Sequence, residues 1–508
     1  MLKSPPTGMS ERQSDLPRWG RTTGIPIYPL LLGLYPVLAL AAPNLAEAAP
    51  SLMYRSGLIC LLLAVLLFGL LFLLLRDRFR AAALAALLLV LFFSYGHVYN
   101  LLTGAHILKA VAQTHWILLA VWAVLAGMGG WLVLRKAASL APLTPILNII
   151  SLILLVLPLF QIVRFKINNV ADERASLTQL NGTATSRPDI YYIILDAYDR
   201  ADTLKLVYDY DNKAFLQALS QRGFYIASCS QSNYAYTQPS LASSLNMDYL
   251  DSLAVTSNEQ ADSLLHANAV RRFLEAQGYS VVAFETGFRW SQWEDADVYY
   301  RYRPDAGTLN GFEAIFLQTT LLRPLLDRQI AALEAAHGAL PYQRVLYVLE
   351  TLKNVPVVVK SPKFVFVHLS IPHPPFVFGP NGEFVTTGSE NATSVSGYRN
   401  SVTFINGQIL QVVDSLMKGS ASPPIIVIQG DHGAPRYQAP EERMAILNAY
   451  YLPGGEGTLY ASISPVNTFR VIFNTFFGGH YPLLQDTSWY SAPNRIYEFG
   501  EIPNECER

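Results

Sequence analysis

The chain has 508 residues, a formal net charge of −1, only 15% charged side chains and 51% apolar ones. It therefore exceeds one average domain and is poor in charge for a soluble protein, while its charge balance gives no case for nucleic-acid binding. The apolar residues crowd into the first third, so a membrane part followed by one globular domain is expected.

A polar segment, 1–24, opens the chain. Five apolar stretches follow at 25–42, 57–75, 81–98, 116–134 and 144–163, each near the ~20 residues that cross a hydrocarbon core as a helix. Pro26, Pro29 and Pro36 make the first the weakest. Positive charges fall on alternate sides. Lys3, Arg12, Arg18 and Arg21 precede the first stretch, Arg76, Arg78 and Arg80 follow the second, and Arg135 and Lys136 follow the fourth. Only Arg55 and Lys109 occupy the other loops. The asymmetry predicts a cytoplasmic N-terminus and, after five crossings, an extracytoplasmic C-terminal part. Residues 164–187 read as a linker and 188–508 as the catalytic domain.

From Asp189 onward short apolar runs alternate with amphipathic stretches. Ile190–Leu195, Ser280–Phe284, Phe364–Leu369 and Ile425–Gln429 suit strands buried on both faces. Helical periodicity appears at Asn212–Arg222, Asp262–Gln277 and Ala331–Leu352. The alternation predicts an α/β sandwich around a mostly parallel central sheet. Phe312–Leu326 reads as a core helix, with a membrane-surface helix as the alternative. Of the three cysteines, Cys60 lies in an apolar run, while Cys229 and Cys506 are placed to pin the C-terminal tail if that domain lies in an oxidising compartment. Spacing alone leaves their pairing open.

Polar residues appear just past strand ends, where α/β folds place active sites. Asp196 follows the first strand, His368 and His373 lie at and beyond the Phe364 strand, and Asp431 and His432 follow the Ile425 strand. Thr237 precedes Pro239, a residue suited to a helix's first turn, so its hydroxyl is expected near a helix N-terminus. Each residue also has a plainer reading. Thr237 serves as an N-cap, Asp196 as a loop cap, His373 as a stiffener between prolines and His368 as a core residue. Asp199, Arg200 and Asp202 read as a solvated helix start.

The ordered set Leu-Asp196, Thr237-Gln-Pro-Ser, Pro-His373-Pro-Pro and Gly-Asp431-His432-Gly resembles the alkaline phosphatase/sulfatase superfamily. Within it the architecture is similar to lipoteichoic acid synthases and lipid A phosphoethanolamine transferases, membrane-anchored phosphotransferases with five spans and an extracytoplasmic catalytic domain. The resemblance implies a multi-pass protein of a bacterial plasma membrane whose substrate is a phospholipid or envelope glycan. It implies Asp196, Asp431, His432 and Thr237 as ligands of one divalent metal, Thr237 as nucleophile, and His373 and His368 as contacts to the phosphoryl or leaving group. Zn²⁺ suits the mixed oxygen and nitrogen donors best, with Mn²⁺ and Mg²⁺ compatible. Two departures matter. Sulfatases carry a Cys or Ser that becomes formylglycine, whereas this chain has Thr237, and Leu241 stands where their motif has Arg. The expected function is metal-dependent phosphotransfer or phosphodiester cleavage through a phospho-threonine. A sulfatase-like hydrolase transferring to water and a non-catalytic scaffold or sensor are the alternatives.

Overall fold

The computed structural model describes residues 24–44, 53–104, 115–135, 140–172, 187–302, 311–386, 394–434, 439–504 and 506. Two compact units emerge: residues up to 39, 55–158 and 319–321 form the first, and 40–54, 159–318 and 322–508 the second.

The apolar part contains α1 (Tyr28–Ala41), α2 (Tyr54–Leu75), α3 (Arg78–Gly104), α4 (His115–Arg135) and α5 (Thr144–Asp172). Among the described residues, the last four are long and apolar enough to cross a membrane. The first expected span forms a helix of 14 residues followed by one 3-10 turn to Asn44, which is short of that length. Its start is fixed by Asn148 of α5, whose Oδ1 accepts the amides of Ile27 and Tyr28, both at 3.0 Å. Gly33 lets α1 approach α2, since a Cβ there would lie 2.7 Å from Ala64 Cβ. Outward faces are strongly apolar, with Leu73 and Trp116 among the exposed residues. The expected linker begins inside α5, which continues to Asp172; 173–186 lie outside the described residues.

The second unit is built on β1 (Ile190–Leu195), β2 (Tyr225–Ile226), β3 (Ser280–Phe284), β4 (Val298–Tyr300), β5 (Lys363–Leu369), β6 (Ile425–Gly430) and β7 (Asn448–Tyr451). They form one seven-stranded sheet in the order β2-β7-β6-β1-β5-β3-β4. β4, β3, β5, β1 and β6 run parallel, while β7 is antiparallel to β6 and to β2. Two hydrophobic layers cover its faces. One contains Tyr191, Ile193 and Leu195 of β1 and the other Ile190, Tyr192 and Ile194. All six β1 residues are buried, as the unbroken apolar run predicts. The short edge strands β2 and β4, and β7, were not legible because two to four residues carry no period.

The helices, in chain order, are α6 (Ala201–Tyr208), α7 (Lys213–Gln221), α8 (Thr237–Asn246), α9 (Asn258–His266), α10 (Ala269–Ala276), α11 (Gly311–Gln318), α12 (Arg323–Val358), α13 (Val395–Gly419), α14 (Pro440–Met444) and α15 (Pro465–Phe476). The helix expected over Asp262–Gln277 is two helices, because Asn268 breaks it and caps α10 by accepting the Arg271 amide. Residues 331–352 belong to the 36-residue α12, which carries Pro341 and Pro356 inside. In α11, Phe312 and Phe316 are buried and Ile315 is exposed. The block Ser464–Arg470 opens α15, and its polar side chains hold the fold: Asn467 donates to Leu484 O and to Asp486. A disulfide joins Cys229 to Cys506 with Cα atoms 5.4 Å apart.

Below the sheet, at the entry to β1 and β5, Lys363 and Asp189 form an ion pair at 2.7 Å with side chains 0% and 3% exposed. Asp189 also accepts from the Lys363 amide and the Ser361 hydroxyl. Replacing Lys363 with Met strands that carboxylate, so unfolding free energy should fall by about 3–5 kcal/mol. Denaturant titration measures this, and a loss under about 1 kcal/mol would show that the pair is not desolvated.

Candidate active site

Strand register creates the site. Leu195 at the end of β1 lies opposite Leu369 of β5 and Gly430 of β6. Asp196 and Asp431, each one residue beyond its strand, therefore emerge side by side, about one strand spacing (~4.8 Å) apart. Alternation fixes the face. Ile190, Tyr192 and Ile194 share a layer with Phe364, Phe366, Ile425 and Val427, and Asp196, His368 and Asp431 continue that alternation. All three turn toward the layer to which α8 contributes Leu241, Ala242 and Leu245.

Helix α8 brings Thr237 to the same place. Its N-cap is Tyr236 in extended conformation, with no side-chain cap, so Thr237 is the first helical residue rather than the cap. The Thr237 hydroxyl instead lies 3.0 Å from His432 Nε2. Ser240, one turn on, donates to the Asp431 carbonyl at 2.7 Å and locks the helix to that loop.

The remaining contacts are longer. His432 Nε2 is 3.4 Å from Asp431 Oδ2 and 3.7 Å from Asp196 Oδ1, and His368 Nε2 is 3.4 Å from Asp196 Oδ2. His432 Nδ1 is 2.8 Å from Gly433 O, a group that only accepts, so the proton sits on Nδ1 and Nε2 presents its lone pair. Burial, aided by the Arg443 charge, pushes His432 down to about 4, so the ring is neutral at pH 7. For Asp196 burial acts to raise the carboxyl, but the His373 charge and then the hydrogen bond and charge of His368 outweigh it and hold it well below the usual range. For His368 burial acts downward and the Asp196 carboxylate outweighs it, so the ring is held above its ordinary value.

Two buried carboxylates side by side are unfavourable without a cation. Asp196 Oδ1, Asp431 Oδ2 and His368 Nε2 are buried without a hydrogen-bond partner, and one ligand atom from each residue lies within 4.8 Å of the others. Orphaned buried oxygen and nitrogen atoms whose lone pairs converge from three neighbouring strands are what a divalent ion fits.

Asp196, Thr237, Asp431 and His432 are thus brought together, and His368 joins their cluster. His373 is half-buried, with its ring centroid 6.4 Å from that of His432 and its Nδ1 2.6 Å from Pro374 O. Its Nε2 is then the nitrogen available to exchange a proton. Asp199 and Arg200 are buried rather than solvated, because the loop after β1 turns under the Asp431–His432 loop; only Asp202, with its side chain 55% exposed, fits the expectation. Gly433 allows that packing, since a Cβ there would lie 2.5 Å from Asp199 Oδ1. The sequence gives no sign of the Trp290 ring, 5.8 Å from that of His368, or of Ser291, 3.4 Å from its Nδ1, because their turn has no period. A cavity of about 900 Å³ lined by Arg200, Leu206, Ile226, Cys229 and Cys506 contains none of the site residues.

The sulfatase family's sequence pattern matches residues 188–469, more than half of the chain and inclusive of every site residue. The chain belongs to the sulfatase family. Solved structures similar to this sulfatase-family protein include the C-terminal periplasmic domain of EcEptC from Escherichia coli in complex with Zn, at 12% identity over 64% of this chain and 96% of that one, with a TM-score of 0.44. The integral membrane lipooligosaccharide phosphoethanolamine transferase A (EptA) from Neisseria meningitidis is 14% identical over 89% of this chain and 96% of that one, with a TM-score of 0.37. The putative sulfatase yidJ from Bacteroides fragilis is 12% identical over 59% and 75%, with a TM-score of 0.35. No curated protein matches the chain significantly.

Proposed function

We propose that this sulfatase-family enzyme is a membrane-anchored, metal-dependent phosphotransferase or phosphodiesterase that acts on a phospholipid or envelope glycan through Thr237. The observation that carries the reading is the Thr237 hydroxyl at the head of α8, 3.0 Å from His432 Nε2, which in turn lies 3.4 Å and 3.7 Å from two buried carboxylates. Asp196, Asp431, His432 and Thr237 would hold the ion, and His368 is placed to add a fifth contact. A divalent cation there supplies positive charge to the phosphoryl oxygens and eases ionisation of the threonine hydroxyl.

The chain's own residues do the rest. The α8 N-terminus directs its positive end at the incoming anion. The Gly433 carbonyl fixes the His432 tautomer. In the first displacement the Thr237 hydroxyl gives up its proton to solvent and its oxygen bonds phosphorus as the bond to the leaving alcohol breaks. In the second the acceptor oxygen bonds phosphorus as the bond from phosphorus to Thr237 breaks, and the threonine oxygen regains a proton. His373 gives the leaving alkoxide a proton and later takes one from the acceptor hydroxyl. Threonine cannot become formylglycine, which favours a phosphate ester over a sulfate ester.

The four long apolar helices and the Cys229–Cys506 bridge support a membrane anchor with the catalytic domain in an oxidising, extracytoplasmic compartment. A cytoplasmic N-terminus, as the loop charges predict, and an extracytoplasmic domain call for an odd number of crossings, which supports α1 as a fifth. The domain plan is then 1–24 cytoplasmic, 25–163 spanning, 164–187 connecting and 188–508 catalytic.

Chelation tests the reading. Purified full-length protein stripped of metal should lose at least about a hundredfold in cleavage of a chromogenic phosphodiester and regain it with Zn²⁺ or Mn²⁺. Undiminished turnover in the stripped protein would sink the metal-dependent reading.

A further inference from the structure

We propose that Asp199, held as a neutral carboxylic acid, is the positioning residue that keeps the Asp431–His432 loop in register with Asp196. Asp199 is 2% exposed and touches none of the reacting groups. Its Oδ1 accepts the Ala434 amide at 2.9 Å, and its Oδ2 lies 2.9 Å from the Tyr398 hydroxyl oxygen. The same hydroxyl oxygen is 2.9 Å from the Ala197 carbonyl and accepts the Asp199 amide at 3.2 Å.

Hydrogen counting decides the protonation state. A phenol has one hydrogen, yet an ionised Asp199 and the Ala197 carbonyl would both require it. With the proton on Oδ2, Asp199 donates to Tyr398 and Tyr398 donates to Ala197, so every contact is made. Burial is the main influence and lifts this carboxyl to about 7, against the Ala434 amide, the Tyr398 hydroxyl and the Arg443 charge, with Glu442 acting upward. Tyr198 also faces it, its hydroxyl pushed up mainly by burial.

The network ends on the site at both sides. Ala197 holds a left-handed backbone (φ 63°) and donates its amide to Asp431 Oδ1 at 3.0 Å. Ala434 follows Gly433, whose carbonyl fixes the His432 tautomer. Releasing Asp199 would therefore loosen the Asp431 carboxylate and the His432 ring together, as happens when groups supporting metal ligands are lost.

Two variants of the full-length protein test this. Asp199→Asn reproduces the neutral acid, with an oxygen for Ala434 and an N–H for Tyr398, whereas Asp199→Leu supplies neither. The zinc readout rests on the metal site proposed above; the thermal readout does not. In competition with a chelator, the Asn variant should bind zinc within about threefold of wild type and the Leu variant about 10–100-fold more weakly. An Asn variant as weak as the Leu variant, or a Leu variant as tight as wild type, overturns the proposal. A wild-type chain that binds no zinc defeats the metal reading instead.

The second readout is the melting temperature of metal-free protein against pH. A carboxyl raised to about 7 in the fold, against 3.8 ordinarily, loses stability as pH rises from about 4 to about 7, because the unfolded chain releases its proton first. The Asn variant has no such proton, so its melting temperature should gain on wild type across that window and level off above it. A difference that does not change with pH overturns the neutral-acid assignment.

Discussion

Thr237→Ala should abolish turnover, by roughly 10³–10⁶-fold in kcat, while leaving the fold intact. The size follows from the role, because without the hydroxyl no oxygen is positioned at the head of α8 and the two-step route closes. Stability should change little. Thr237 makes no cap bond in α8, and the contact it loses is one hydrogen bond to a histidine, worth about 1 kcal/mol. Thr237→Ser keeps the oxygen and should retain measurable activity. Rates on a phosphodiester, read beside melting curves, check both. An alanine variant within tenfold of wild type would remove Thr237 from the chemistry.

Asp431→Asn should weaken zinc binding by more than the roughly 10–100-fold that loss of a group supporting a ligand costs, yet leave the metal-free protein as stable as wild type or more so. Its Oδ1 accepts the Ala197 amide at 3.0 Å, which an asparagine oxygen still does. Its Oδ2 is buried without a partner, beside Asp196 in the next strand. Removing that charge relieves repulsion between two desolvated carboxylates, and replacing poorly compensated buried charges is often neutral or stabilising by about 1–4 kcal/mol. In the metal-loaded protein the same change removes a ligand and should lower the melting temperature. Thermal melts with and without zinc separate the two. A metal-free Asn variant that melts well below wild type would mean that Asp431 is a structural partner rather than a ligand.

Much of this site was legible because strand ends announce themselves. The runs Ile190–Leu195 and Ile425–Gln429 are apolar and rich in β-branched and aromatic residues, so Asp196 and Asp431 are placed just past two strands by sequence alone. That the two strands are neighbours was not legible, since pairing joins segments more than two hundred residues apart. His368 shows the limit most clearly. A histidine inside a strand reads as core or site according to which face it takes, and only register with β1 places it against Asp196. Asp199 misled for a related reason. Polar residues at a helix start look solvated, and the glycine that lets the loop bury Asp199, Gly433, lies in a different strand connection.

The membrane part was legible in kind more than in measure. Among the described residues four helices match the length rule, while α1 stops at 14 residues because apolar composition fixes a helix's surroundings and not its ends. The disulfide needed the fold as well, since nothing in the 277-residue separation of Cys229 and Cys506 brings them together.

The most direct test is peptide mass spectrometry of the Thr237 segment after brief incubation of metal-loaded protein with phospholipid vesicles and acid quench. The account predicts a phosphoryl-containing adduct on Thr237, its added mass identifying the transferred head group, absent from Thr237→Ala and from stripped protein. A phospholipid that turns over while Thr237 stays unmodified in rapid-quench samples, or an adduct on another residue, would contradict it.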